Sequence, residues 1–235
     1  MVNIFGINIE ENLDYINVPS LLRYVSPDKQ HRINAFRNHR DAQRVLIGDL
    51  LIRSIACRHL KLRNDELDFR TNEYGKPYLV GIDDFHYNLS HSGRWVVCVV
   101  DTKPIGIDIE EIVPVEMDII YNYFSHEEIN YLKETSLEKK KEVFYDIWTL
   151  KESYIKALGY GLSEELNSFT IEMYGDSKVK VKEAYNYSPV FLRKYEIDWE
   201  HRLSVCALND DFPNNINIVD MCWILNGLIS DRKAN

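Results

Sequence analysis

Two carboxylates stand one residue apart in Gly106-Ile107-Asp108-Ile109-Glu110. In an extended strand, residues i and i+2 share a face, so Asp108 and Glu110 point one way and Ile107 and Ile109 the other. Carboxylates held side by side repel unless a cation or a proton lies between them. Hard oxygen donors of this kind suit Mg2+, which keeps waters and shares itself with substrate phosphates. On the strand alone, a solvent-facing pair fits as well as a cation site. The stretch Trp148-Thr149-Leu150-Lys151-Glu152-Ser153-Tyr154-Ile155-Lys156 adds Glu152 and Lys156 at i, i+4, one face of a helix. Read as a surface pair, they contribute about a few tenths of a kcal/mol. Read as chemistry, they add a third metal carboxylate and a cation that could hold a phosphate oxygen or neutralise a leaving group. Helix geometry does not choose between these. In Phe124-Ser125-His126-Glu127-Glu128, a Ser precedes a Glu by three residues, the pattern of a capping box that starts a helix. A Glu near a metal-bound phosphate could also serve as a general base.

Other chemistries lack their signatures. His91 lies between Ser90 and Ser92, but adjacency in sequence is not a catalytic triad, and there is no GxSxG elbow. No GxGxxG and no GxxxxGK[ST] is present, which disfavours dinucleotide and P-loop sites. The cysteines Cys57, Cys98, Cys206 and Cys222 form no CxxC and no zinc-like spacing.

The elements that must position these residues come in two sets. Gly6-Ile7-Asn8-Ile9-Glu10 recurs as Gly106 to Glu110, Tyr74-Gly75 as Tyr174-Gly175, and Val97-Cys98-Val99 as Val205-Cys206-Ala207. The shared order and near-constant offset predict two related halves joined near residues 101–105. In the first half, helical spacing of Ile47, Leu50, Leu51 and Ile55 predicts a helix over about 39–60. A hairpin is expected from 67–70 and 78–80, turning through Asn72 to Pro77. A second strand pair is expected from 85–89 and 95–100, turning around Ser90 to Gly93. In the second half, 142–158 reads as a helix ended by Gly159. Hairpins follow from 168–174 with 178–182, turning at Gly175-Asp176, and from 195–197 with 202–208. A short terminal helix is expected over 218–229. The fold class is α+β: two pseudo-symmetric halves, each a small, mostly antiparallel sheet packed with a long helix. The halves divide at 1–102 and 103–235, with the site in the cleft between them.

The 235 residues carry a net charge of −9, which counts against a nucleic-acid binder. Residues 21–63 nevertheless hold ten Lys or Arg against Asp28, Asp41 and Asp49, so that segment is +7 and the remainder −16. A local basic region on an acidic chain suits a small polyanion. The N-terminus has no basic and apolar signal-peptide regions, and no run approaches a membrane span, so the chain is expected to be cytoplasmic and its cysteines reduced.

From Gly6 to about Phe212 the sequence resembles the 4'-phosphopantetheinyl transferases, specifically the surfactin-synthetase-activating type. Five motifs carry the resemblance in order: Tyr74-Gly75-Lys76-Pro77, Asn88-Leu89-Ser90-His91-Ser92, Gly106 to Glu110, Phe124-Ser125 with Glu128, and Trp148 to Lys156. The resemblance implies transfer of the 4'-phosphopantetheine arm of coenzyme A to a serine of an apo carrier protein, releasing adenosine 3',5'-bisphosphate. It implies that Asp108, Glu110 and Glu152 hold Mg2+, with Mn2+ as the alternative. Glu128, or its neighbour Glu127, matches the base, and Lys156 would stabilise the departing phosphate. Lys29, Arg32, Arg44, Lys76, Ser90 and His91 match coenzyme A contacts. Val45 departs from the family pattern, which has Thr there, so that hydroxyl contact is missing.

The partners so implied are apo carrier domains of peptide, polyketide or fatty-acid synthases, served by a monomer whose two halves do what two subunits do elsewhere. The rival readings are a Mg2+-dependent phosphohydrolase and an inactive carrier- or coenzyme A-binding module. Because carrier domains are commonly acidic, docking is expected on an apolar patch around Tyr121 to Leu132.

Overall fold

The computed structural model describes residues 1–159, 165–174, 178–182 and 189–229. The first half runs β1 (Asn3–Asn8), α1 (Val18–Leu21), α2 (Pro27–Asn34), α3 (His39–Leu60), β2 (Phe69–Thr71), β3 (Pro77–Leu79), β4 (His86–Ser92) and β5 (Trp95–Asp101). The second runs β6 (Ile105–Glu111), α4 (Ile120–Tyr123), α5 (His126–Glu134), α6 (Lys140–Leu158), β7 (Thr170–Tyr174), β8 (Lys178–Lys182), β9 (Phe191–Tyr195) and β10 (His201–Ala207). A terminal segment adds β11 (Asn217–Ile218) and α7 (Met221–Ile229).

One sheet has the order β11-β1-β5-β4 and the other β6-β10-β9. Strand, helices, long helix, hairpin and two closing strands recur in the same order in each half, and 1-5-4 is matched by 6-10-9. The paired sequence fragments fall on matching strands: Gly6 on β1 and Gly106 on β6, Val97 on β5 and Val205 on β10. Gly175 and the turn expected at Gly175-Asp176 lie outside the described residues.

Alternation builds the layers. On β5, Val96, Cys98 and Val100 pack with Leu46, Ile47, Leu50 and Leu51 of α3. Trp95, Val97 and Val99 face the other way, onto Ile105, Ile107 and Ile109 of β6 and Leu203 and Val205 of β10. Cys206 on the opposite face of β10 packs with Leu150 and Tyr154 of α6. The order is helix, sheet, sheet, helix, and β6 therefore turns Asp108 and Glu110 toward α6.

Each long helix has a local start or stop. Asn38 caps α3, its side chain accepting from the Arg40 amide, and Gly159 ends α6 at φ 80°, the left-handed region that glycine enters without strain.

Three boundaries differ from expectation. Ser90, His91 and Ser92 belong to β4 rather than to a turn, which is made by Gly93 at φ 52° with Arg94. The strand expected at 195–197 lies earlier, as β9, because Ile197 and Asp198 are drawn into contacts with the first half. The terminal helix begins at Met221, preceded by β11, which pairs in parallel with β1. That segment packs on the first half: Met221, Ile224 and Leu228 join the α3 core, and Arg58 donates to the Trp223 carbonyl at 2.7 Å. The chain from residue 103 onward therefore does not all stay with β6 and α6. Among the described residues no helix is long and apolar enough to cross a membrane.

Candidate active site

The site forms where β4, β6 and α6 meet. β4 and β6 are neighbours at the edges of different sheets and exchange no backbone ladder. Side chains do that work. Asn88 Oδ1 accepts from the Ile107 amide (3.0 Å), Ser90 Oγ from the Ile109 amide (3.4 Å) and Ser92 Oγ from the Glu111 amide (3.0 Å). The two hydroxyls donate in turn to the carboxylates: Ser90 to Asp108 Oδ1 and Ser92 to Glu110 Oε2, both at 2.9 Å.

α6 approaches β6 closely because residue 106 is glycine. A Cβ there would strike the Ser153 carbonyl and the Ala157 amide, both backbone atoms. The approach brings Lys156 Nζ to 2.6 Å from Asp108 Oδ1 and 3.2 Å from Ser90 Oγ. Asp108 is only 3% exposed, and its Oδ2 is buried without a hydrogen-bond partner. Burial first, and then the Asp108 charge, push the Glu110 carboxyl up to about 7. The same two causes raise Glu152. Asp108, Glu110, Glu152 and Lys156 are thus one electrostatic cluster.

The donor set fits a hard divalent cation: three mutually repelling carboxylates, one with an orphaned buried oxygen. Among the described residues no three such groups are already closed around one point.

The other expected site residues divide. His91 lies beside the cluster. Burial lowers its ring, and the Arg44 and Lys156 charges lower it further. Arg44 donates from Nε to the Gly93 carbonyl (2.9 Å) and from Nη1 to Asp41 (2.7 Å). Lys29 on α2 is 3.5 Å from Asp49 of α3, and Arg32 is exposed on the same helix.

Lys76 reaches across the halves. Its Nζ donates to the carbonyls of Ile105 (3.3 Å), Lys156 (2.7 Å) and Ala157 (2.9 Å). Burial pushes its ammonium down to about 8. All three donors are thereby spent on the end of α6 and the start of β6.

Glu128 stands apart from the cluster. Its Oε1 accepts from Lys151 Nζ (2.7 Å) and the Ile171 amide (2.7 Å), and its Oε2 from Lys151 Nζ (2.8 Å) and the Ser125 amide (2.8 Å). Both ions are 1% exposed, and Lys151 also donates to the Phe169 carbonyl. None of these bonds involves Asp108, Glu110 or Glu152. Glu127 is at the surface, bonded to Lys182 and Thr170.

Sequence reasoning missed three contributors: Ser92, Asn88 and Lys151. The signal for the first two was present as polar residues at every second position of β4. Lys151 carried none, since a lysine on a helix is ordinarily solvated.

Two family models match adjoining stretches of the chain. One, described as 4'-phosphopantetheinyl transferase, N-terminal, matches residues 16–103. The other, described as 4'-phosphopantetheinyl transferase superfamily, matches residues 104–213. The 4'-phosphopantetheinyl transferase Sfp of Bacillus subtilis (strain 168) is 37% identical over 93% of this chain and 97% of its own length. This chain belongs to the 4'-phosphopantetheinyl transferase family. A second transferase of that name from Bacillus subtilis is 39% identical over 92% of this chain and 97% of its own. The 4'-phosphopantetheinyl transferase gsp of Aneurinibacillus migulanus is 33% identical over 94% of each chain. The α+β architecture described above is therefore that of a phosphopantetheinyl transferase, and the cluster lies on β6 and α6, inside the superfamily match.

Proposed function

We propose that the chain moves the 4'-phosphopantetheine group of coenzyme A to a serine hydroxyl of an apo carrier protein. The products are the holo-carrier and adenosine 3',5'-bisphosphate. Family membership supports the group transferred, and the observation that carries the chemistry is the carboxylate cluster with Lys156 at 2.6 Å from Asp108. The carrier serine oxygen forms a bond to the phosphorus that bears pantetheine. The pyrophosphate bridge breaks on the adenosine side of that phosphorus, and the leaving phosphate keeps the bridging oxygen. The serine proton leaves to solvent or a base.

Little covalent work falls to the protein in such a transfer, so catalysis is positioning plus electrostatics. Asp108, Glu110 and Glu152 would hold a divalent cation, Mg2+ or Mn2+, that spreads the charge of the pyrophosphate. Lys156, which pairs with Asp108 at 2.6 Å, would be the cation that meets phosphate oxygens beside them. His91, Arg44, Lys29 and Arg32 supply further contacts to the nucleotide phosphates. Lys76 contributes by fixing the end of α6, and Glu128 by fixing α5 and β7 to that helix, since its four accepted bonds leave it no lone pair for a serine proton. The carriers are domains of peptide, polyketide or fatty-acid synthases in the cytoplasm, and the enzyme works as a monomer.

The test is direct. Incubate the protein with coenzyme A, Mg2+ and an apo carrier protein, and weigh the carrier by mass spectrometry. A phosphopantetheine mass gain is expected. Free phosphopantetheine with an unmodified carrier would indicate hydrolysis instead, and no change at all would indicate a binding module.

A further inference from the structure

We propose that Ser92 is the positioning residue for Glu110, anchoring one oxygen of that carboxylate so that the other is left for the metal. The inference rests on the reading that Asp108, Glu110 and Glu152 hold a divalent cation. A backbone amide can only donate and a carboxylate can only accept. Ser92 Oγ lies 3.0 Å from the Glu111 amide and 2.9 Å from Glu110 Oε2, so it accepts from the first through one lone pair and gives its only proton to the second. The hydroxyl cannot rotate away without losing both bonds, and it is itself fixed by β4, where Ser92 pairs with Trp95 of β5. Glu110 is thereby tied to the other half of the molecule. Ser90 makes the equivalent pair of hydrogen bonds, accepting from the Ile109 amide and donating to Asp108, but that carboxylate is also held by Lys156. Among the side-chain hydrogen bonds of the described residues, Ser92 alone holds Glu110. An outer residue that orients a ligand changes metal affinity by about 10–100-fold when removed.

Asn88 separates orientation from mere docking of the halves. It makes the equivalent bond to β6, at the Ile107 amide, and touches no carboxylate. The experiment measures Mn2+ binding by electron paramagnetic resonance of the free ion, on protein saturated with coenzyme A and without carrier, against a coenzyme A blank. Ser92→Ala is expected to weaken Mn2+ about tenfold. Asn88→Ala, which is expected to lower the melting temperature, and Ser92→Thr, which keeps the hydroxyl, should stay within about threefold of the parent. In turnover with a carrier protein, the loss in Ser92→Ala should appear in the apparent KM for metal, and saturating metal should restore most of kcat. If Ser92→Ala does not fold, Ser92→Cys carries the same expectation. Parent-like Mn2+ affinity in Ser92→Ala overturns the proposal, as does equal weakening in Asn88→Ala. Glu110→Gln is the control for the underlying reading: parent-like affinity there means that the carboxylates do not bind the metal at all.

Discussion

Glu152 is pushed toward its protonated form by burial and by the Asp108 charge, so it costs folding free energy where it stands. A group kept at such a cost is expected to be needed for function. Glu152→Gln relieves the repulsion at equal size, so its thermal midpoint should equal or exceed the parent's. Transferase activity should fall by about a hundredfold or more, as for removal of a preorganised electrostatic group. Carrier modification followed by mass spectrometry, beside a calorimetric melt, measures both, and parent-like rates would remove Glu152 from the site. Glu128 is the opposite case, since its carboxylate is consumed by Lys151 and two amides. Breaking one side of a buried pair costs about 3–5 kcal/mol, whereas replacing both ions by apolar groups is often near neutral. Denaturant unfolding should therefore show Glu128→Gln strongly destabilised and Glu128→Leu/Lys151→Met largely recovered. A Glu128→Gln protein of parental stability that had lost only its turnover would restore the general-base role.

Among the elements, α6 is positioned by two contacts of different kinds. Its side against β6 is close because Gly106 has no side chain, and its carboxyl end is tied down by Lys76. Gly106→Ala drives a methyl into backbone atoms that cannot move aside as a flexible side chain can. The expected cost is about 3 kcal/mol, at the upper end for overpacking. Because Glu152 and Lys156 ride on the displaced helix, metal affinity should fall with stability in that variant. A melt combined with Mn2+ titration checks this, and an unchanged melt would mean that the two elements are not in firm contact.

For the molecule as a whole, the two halves share the apolar layer between the sheets and are clasped at opposite ends of β6. One clasp is Lys76. At the other, Arg94 and Trp95 of the first half both donate to Asp198 of the second, and His201 bonds the same carboxylate. Burial pushes the Asp198 carboxyl up, but the bonds from Trp95, His201 and Arg94 outweigh it and hold the group well below the usual carboxylate range. A carboxyl lowered in the folded state contributes stability above its unfolded value, about 3.9, and loses it as the pH falls further. Asp198→Asn should cost about 1–2 kcal/mol at pH 7, allowing for solvent screening, and the gap from the parent should close below about pH 4. Urea unfolding across that range measures it, and a gap independent of pH would mean that the charge plays no part. The +7 segment is likewise changed by folding. Arg53 and Lys29 are drawn to Asp49, Arg63 to Asp65, and Arg58 to Trp223, so its charge is not one exposed face. Arg32, Arg37 and Arg40 remain exposed.

Much of this was legible in the chain itself. Period-2 and period-3.6 spacing set β6 and both long helices almost to the residue, and repetition of short fragments marked the matching strands. Those signals are local, and local geometry alone puts Asp108 and Glu110 on one face. The buried partners of Glu128 and Lys76 were not legible, because a carboxylate or ammonium has the same sequence signature whether it lies in solvent or is bonded inside the fold. Strand ends beyond Tyr195 and the placement of α7 on the first half were also hidden, since both depend on contacts with residues about 100 to 200 positions away. The sequence by itself determined the family, the two-half plan and the face that carries the acids. Folding decided which polar groups keep a free valence for chemistry, because hydrogen-bond saturation depends on every neighbour that packing brings within reach.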